Sequence, residues 1–132
     1  DGFAHHPTAV RETLAAFRQK HPAGRLFVVF EPRSATACRN LHQAEYVTSF
    51  DLAHEVHFAP LGRDNLAAED RLDTTRLCEE LSRRGPRAEA HANIDTIITA
   101  ITQRVEAGDV VALLSNGAFG GIHQRVLAAL AG

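Results

Sequence analysis

The sequence has no apolar run approaching the roughly 20 residues that a membrane-spanning helix needs. Its first residues carry neither a basic stretch followed by an apolar one nor a cleavage signature, so nothing in them supports export. An excess of one charge is also lacking: a formal charge of −2 gives no electrostatic case for nucleic acid or an anionic membrane surface. Cysteine is limited to Cys38 and Cys78, neither in a Cys-x-x-Cys motif, which reads as two reduced thiols in a cytoplasmic protein. Also missing are a Gly-x-x-x-x-Gly-Lys-Ser/Thr phosphate loop, a nucleotide-binding Gly-x-Gly-x-x-Gly and a Ser-centred nucleophile elbow. Taken alone, the chain shows no catalytic engine.

What is present is an ordinary globular composition, 45% hydrophobic and 23% charged over 132 residues, enough for one domain with one core. Helical and strand periods alternate along it. Pro7 suits a first helical turn, and Val10, Leu14 and Phe17 follow at helical spacing to about Lys20, with a stop near Pro22 to Gly24. Leu26 to Phe30 is a continuous run of β-formers, as in a strand buried on both faces. A short helix is expected over His42 to Phe50, an alternating strand over Glu55 to Pro60, and a loop from Leu61 to Ala67. The spacing of Leu72, Leu77 and Leu81 predicts a helix to Arg84 that Gly85 stops. A weak strand covers Arg87 to His91. Asn93 caps a helix with Ile94, Ile97, Ile98, Ile101 and Val105 on one face, ending at Gly108. The strand Val110 to Leu114 and a last helix carrying Ile122, Val126, Leu127 and Leu130 complete the chain. This alternation predicts an α/β fold: a Rossmann-like, mostly parallel sheet with helices on both faces, forming one domain over residues 1–132.

Ligands gather at the carboxyl ends of strands in such sheets. Two loops stand there. Ser115-Asn116-Gly117-Ala118-Phe119-Gly120-Gly121 joins a buried strand to a helix; its glycines either admit a ligand close to backbone N–H groups or only shape a tight turn. Glu31-Pro32-Arg33-Ser34-Ala35-Thr36 places a guanidinium suited to a carboxylate or phosphate, with a solvated charged loop as the equal alternative. His5-His6-Pro7 precedes a helix start. Neighbouring residues do not share a face, so the pair is a poor chelator, and no metal site is expected. It remains either a surface pair or one imidazole contacting a ligand while the other orients the loop. The histidines at 21, 42, 54, 57, 91 and 123 read mostly as bystanders.

Together the three segments carry a resemblance. Asp1-Gly2-Phe3-Ala4-His5-His6-Pro7 resembles the Asp-Asp-Tyr/Phe-Ala/Gly-His-His-Pro motif that opens the C-terminal domain of the Mur ligase family. Phe30-Glu31-Pro32-Arg33-Ser34 and Ser115-Asn116-Gly117-Ala118-Phe119-Gly120-Gly121 are similar to its peptide-adding branch. The alanine-adding branch has Phe-Gln-Pro-His-Arg-Tyr and a Gly-Ala-Gly-Asp loop instead. One position departs: Gly2 stands where related ligases usually hold an acid against the nucleotide ribose, with Asp1 beside it.

The resemblance implies the C-terminal domain of a three-domain cytoplasmic enzyme that splits ATP and joins L-alanyl-γ-D-glutamyl-meso-diaminopimelate to UDP-N-acetylmuramate. The missing partners would be an N-terminal UDP-sugar domain and a central ATPase domain holding the phosphate loop and the Mg²⁺ ligands. That the chain starts at Asp1 without an initiator Met fits a piece of a longer polypeptide, expected to be inactive by itself. By position, Asp1, Phe3, His5 and His6 match nucleotide- or amine-side residues. Arg33 and Thr36 match a substrate loop, and Ser115, Asn116, Gly117 and Phe119 match holders of the peptide. The competing readings are an alanine-adding ligase domain, a standalone α/β ligand-binding module, and a metal-dependent phosphoesterase built on the His pair.

Overall fold

The computed structural model describes residues 6–32, 37–61, 66–114 and 122–131, with the side chains of 122, 123, 130 and 131 left aside. Its elements are α1 (Pro7–Lys20), β1 (Leu26–Phe30), α2 (Gln43–Ser49), β2 (Glu55–Phe58), α3 (Thr74–Arg84), β3 (Arg87–Ala90), α4 (Ile94–Arg104), β4 (Val110–Leu114) and α5 (Ile122–Ala131), with short 3₁₀ turns at Asn40–His42 and Ala68–Asp70. The four strands are all parallel, in the order β3-β2-β1-β4. The expected α/β architecture is what forms.

Two apolar layers hold it. On one face Leu26, Val28, Phe30, Val56 and Phe58 pack under α1, α2 and α3 through Val10, Leu14, Tyr46, Phe50, Leu77 and Leu81. On the other face Phe27 and Val29 pack against Ile97 and Ile101 of α4 and Val126 of α5. An aromatic cluster centres on Phe30, whose ring lies 5.5 Å from Tyr46, 5.7 Å from Phe50 and 6.0 Å from Phe58. Several of these rings meet edge to face, the arrangement favoured by the ring quadrupole. All five residues of β1 are buried, as a central parallel strand requires.

Helix ends follow local chemistry. Asn93 Oδ1 accepts from the Thr96 N–H at 3.0 Å, and Asp73 Oδ1 accepts from Arg76 at 3.0 Å. Gly85 ends α3 with φ of 137° and donates to the Leu81 carbonyl, a backbone that a side chain would strain.

Two expectations are corrected. The α4 helix stops at Arg104, ahead of Gly108: Val105 turns extended, and Asp109 closes the following turn by accepting from the Glu106 N–H at 2.7 Å. Gly108, at φ 92°, shapes that turn. Strand β2 ends at Phe58, before Pro60, and its polar residues do not face solvent; all four positions are buried because the strand is internal and covered on both sides. Cys38 and Cys78 are both buried and stand outside any disulfide. Burial pushes the Cys78 thiol up to about 12, which leaves it protonated and a poor nucleophile. Among the described residues no helix is long and apolar enough to cross a membrane.

Candidate functional site

The strand order reverses direction at β1. The chain moves from β1 to β2 to β3 on one side, then returns across the sheet to place β4 on the other. The switch point is therefore the β1–β4 boundary, and in open α/β sheets ligands bind outside the carboxyl ends of the strands at such a point. Phe30 is in register with Leu114, and the Glu31 N–H donates to the Leu114 carbonyl at 3.0 Å. The segments that begin at Glu31 and at Ser115 thus leave the sheet side by side.

The start of α1 comes to the same end of the sheet, because a helix preceding a strand runs back against it. His6 is its N-cap: Nδ1 accepts from the Thr8 N–H at 3.1 Å, and Pro7 needs no such partner. The His6 ring meets His42 edge-on, with centroids 4.7 Å apart. His42 Nδ1 lies 2.7 Å from Glu45 Oε1. This contact holds the Glu45 carboxyl below its usual range. The sequence assigned His42 no role, and its meeting with His6 depends on α2 packing beside α1. Glu31 is buried at the carboxyl end of β1, and the Cys38 thiol donates to the Pro32 carbonyl at 3.0 Å, returning the chain toward the loop's base.

Of the sequence-derived site residues, only His6 falls among those described. Asp1, Phe3, His5, Arg33, Thr36, Ser115, Asn116, Gly117 and Phe119 lie outside the described residues. Their described flanks, at His6, Pro32 and Leu114, emerge at the same end of the sheet.

A second polar constellation went unnoticed in the sequence. Glu55 and His57 on β2, Glu89 on β3, His91 just after it and Arg104 on α4 form a network beneath α4. His57 Nε2 lies 2.9 Å from Glu55 Oε1, and His57 Nδ1 lies 2.9 Å from His91 Nε2. Arg104 donates to Glu55 at 3.1 Å and to Glu89 at 2.9 Å. Burial holds both imidazoles below the ordinary histidine range. The i, i+2 spacing of Glu55/His57 and of Glu89/His91 was a legible signal that these residues share one face of their strands.

With this geometry in hand, the likenesses to known proteins fall into place. The UDP-N-acetylmuramate–L-alanyl-gamma-D-glutamyl-meso-2,6-diaminoheptandioate ligase of Haemophilus influenzae is 34% identical over 128 residues, 96% of this chain and 26% of that protein. The UDP-N-acetylmuramate–L-alanine ligase of Desulfitobacterium hafniense is 33% identical over 120 residues, 89% of this chain and 26% of that one. A crystal structure of a murein peptide ligase from Psychrobacter arcticus superposes with a TM-score of 0.73 at 32% identity, covering 96% of this chain and 26% of its own. The chain therefore spans about a quarter of the length of the curated relatives it matches. Residues 1–117 match the family model described as Mur ligase, glutamate ligase domain, and the chain belongs to that family.

Proposed function

We propose that the chain is the C-terminal domain of an ATP-dependent ligase that joins L-alanyl-γ-D-glutamyl-meso-diaminopimelate to UDP-N-acetylmuramate. The observation that carries this reading is the Glu31–Leu114 hydrogen bond at the switch point, which starts the two branch-specific segments on adjacent strands. Glu31-Pro32-Arg33-Ser34 and the Ser115 to Gly121 stretch are the segments that resemble the peptide-adding branch. On this reading Arg33 would offer a guanidinium for a substrate carboxylate, and the glycines of the second segment would let backbone N–H groups approach a ligand.

The role of such a wall is positioning. Amide formation by way of an acyl phosphate needs the incoming amine held against the activated carboxyl, and a bound peptide aligned for attack contributes much of the rate. Arg33, Thr36, Ser115, Asn116, Gly117 and Phe119 would hold the peptide, while Asp1, Phe3 and His5 would face nucleotide or amine. His6, as N-cap, fixes the helix that follows them.

Mg²⁺ takes oxygen ligands in a strict octahedron. Among the described residues, the group His6, His42 and Glu45 offers two imidazole nitrogens and one carboxylate oxygen, a set that does not fit it. On this reading the Mg²⁺ ligands and the ATP phosphate loop belong to a central domain outside this chain, and the UDP site to an N-terminal one. The alanine-adding reading keeps a place because the Desulfitobacterium relative is nearly as similar, though over less of the chain.

The deciding experiment compares kcat/KM of the parent enzyme for the tripeptide and for free L-alanine. Preference for the tripeptide is expected; preference for alanine would replace this reading with the alternative. The 132-residue chain alone is expected to show no ligase turnover and at best weak ATP or peptide binding by calorimetry. Turnover by it would overturn the division of labour among domains.

A further inference from the structure

The network under α4 has a feature that the switch-point cleft does not use. Glu55 Oε1 accepts from Arg104 and faces His57 Nε2, which therefore donates to it. The Thr96 hydroxyl donates to the Asn93 carbonyl at 3.1 Å, so it accepts from His91 Nδ1, 2.8 Å away, and that nitrogen carries a proton as well. With those protons placed, the inward-facing nitrogens are the ones left to bind a cation. His57 Nδ1 and His91 Nε2 each point a lone pair at the other across 2.9 Å, and Glu89 Oε1, another acceptor, stands 3.7 Å from both.

Three atoms able to ligate a cation thus converge on one point. A point equidistant from atoms so spaced lies about 2.0 Å from each, the length of a Zn²⁺ bond to imidazole nitrogen or carboxylate oxygen. We propose that His57, His91 and Glu89 form a binding site for a zinc-class divalent cation.

The surroundings are those of a metal site. Each ligand's second polar atom is held: His57 by Glu55, His91 by Thr96, and Glu89 Oε2 by Arg104 at 2.9 Å and Arg87 at 3.1 Å. Such outer contacts orient ligands and set imidazole tautomers. His57 is fully buried, so entry is from the side of His91 and Glu89. A groove of about 350 Å³ between β3 and α4, lined by Glu89, His91, Asp95, Thr96 and Arg104, reaches them there. The groove leaves a fourth position open to water. Tetrahedral bonding asks for about 3.3 Å between ligand atoms, so the two imidazoles part by a few tenths of an ångström on binding. Two nitrogens and one oxygen select Zn²⁺ or Co²⁺ over Mg²⁺ and Ca²⁺, and the nearby Arg104 guanidinium keeps the affinity moderate. The ion would cross-link β2, β3 and, through Thr96, α4.

The test uses the 132-residue chain, stripped of metal and titrated with Co²⁺ and then Zn²⁺. One-to-one binding is expected, with the visible bands of four-coordinate Co²⁺, bleached by Zn²⁺, and a rise in Tm. In His91→Gln and in Glu89→Gln the affinity should fall at least tenfold, while His42→Gln, which removes the other histidine group, should leave it unchanged. Nitrogen NMR of the unsubstituted chain provides a reading free of folding defects: Zn²⁺ should shift His57 Nδ1 and His91 Nε2. Absence of binding, unshifted His57 and His91 nitrogens, or a loss confined to His42→Gln would each overturn the proposal.

Discussion

Glu31 donates its backbone N–H to the carbonyl of Leu114 at 3.0 Å, which ties the exits of β1 and β4 together. Residues 83 positions apart in the chain thereby start the two segments most suited to hold a ligand. Arg33→Ala and Asn116→Ala in the full-length enzyme are each expected to weaken tripeptide use by roughly 1–3 kcal/mol in kcat/KM, the cost of leaving a charged or polar partner unmatched. Steady-state kinetics with the tripeptide varied would measure it; unchanged values in both variants would remove these loops from the peptide site.

Arg104 offers another prediction. It bridges Glu55, almost wholly buried, and Glu89, and its own charge is stabilised by both. Arg104→Ala removes the cation shared by two carboxylates under α4, leaving Glu89 with Arg87 and Glu55 with His57, and stability should fall by roughly 2–3 kcal/mol, less than a fully buried pair loses because the guanidinium is a quarter exposed. Urea unfolding monitored by circular dichroism would read the change.

At the opposite end of the sheet, Asp109 accepts from the Arg25 backbone N–H, the Arg25 guanidinium and the Glu106 N–H. These contacts, the guanidinium first, hold its carboxyl below the usual aspartate range. A lowered folded-state pKa means that the stabilisation is complete above the unfolded-state value and is lost as pH falls through the folded one. Asp109→Asn should therefore lower the Tm at neutral pH, with the gap from the unsubstituted protein closing progressively in acid. A gap of constant size across pH 7 to 3 would show that the charge is irrelevant there.

Gly24 tests packing at that same corner. A Cβ at this position would collide with the Gly108 carbonyl, a backbone atom that cannot swing aside as a side chain can. Gly24→Ala should cost roughly 1–3 kcal/mol, as overpacking does. The substitution Phe30→Ala, which empties the centre of the aromatic cluster, should cost more, about 3–5 kcal/mol. Chemical denaturation of the pair would show whether this order holds.

Much of the fold was legible because its signals are local. The run Leu26 to Phe30 has no polar residue and must be covered on both faces; Asn93 announces a helix start through its side-chain hydrogen bond, and Gly85 a helix end through a backbone angle that other residues avoid. The end of α4 misled because Val105 continues an apolar helical face, while the turn that ends the helix is enforced by Asp109, four residues on. For β2, alternation of polar and apolar residues ordinarily signals a wet face, and here it marks an ion network sealed by α4. Among the candidate site residues, the cap formed by His6 could not be separated in the sequence from a ligand contact, since an imidazole just before a helix start suits either use.

The amino-acid order by itself determined the α/β class and the positions of nearly every element, through periodicity, caps and turn residues that act within a few positions. It also contained the motif segments that mark the family. Only the tertiary structure decided which strands are neighbours, and with them the switch point at β1 and β4, the meeting of His6 with His42, and the convergence of His57, Glu89 and His91. Those depend on side chains far apart in the chain being carried together by packing, and no local propensity encodes a distance between them.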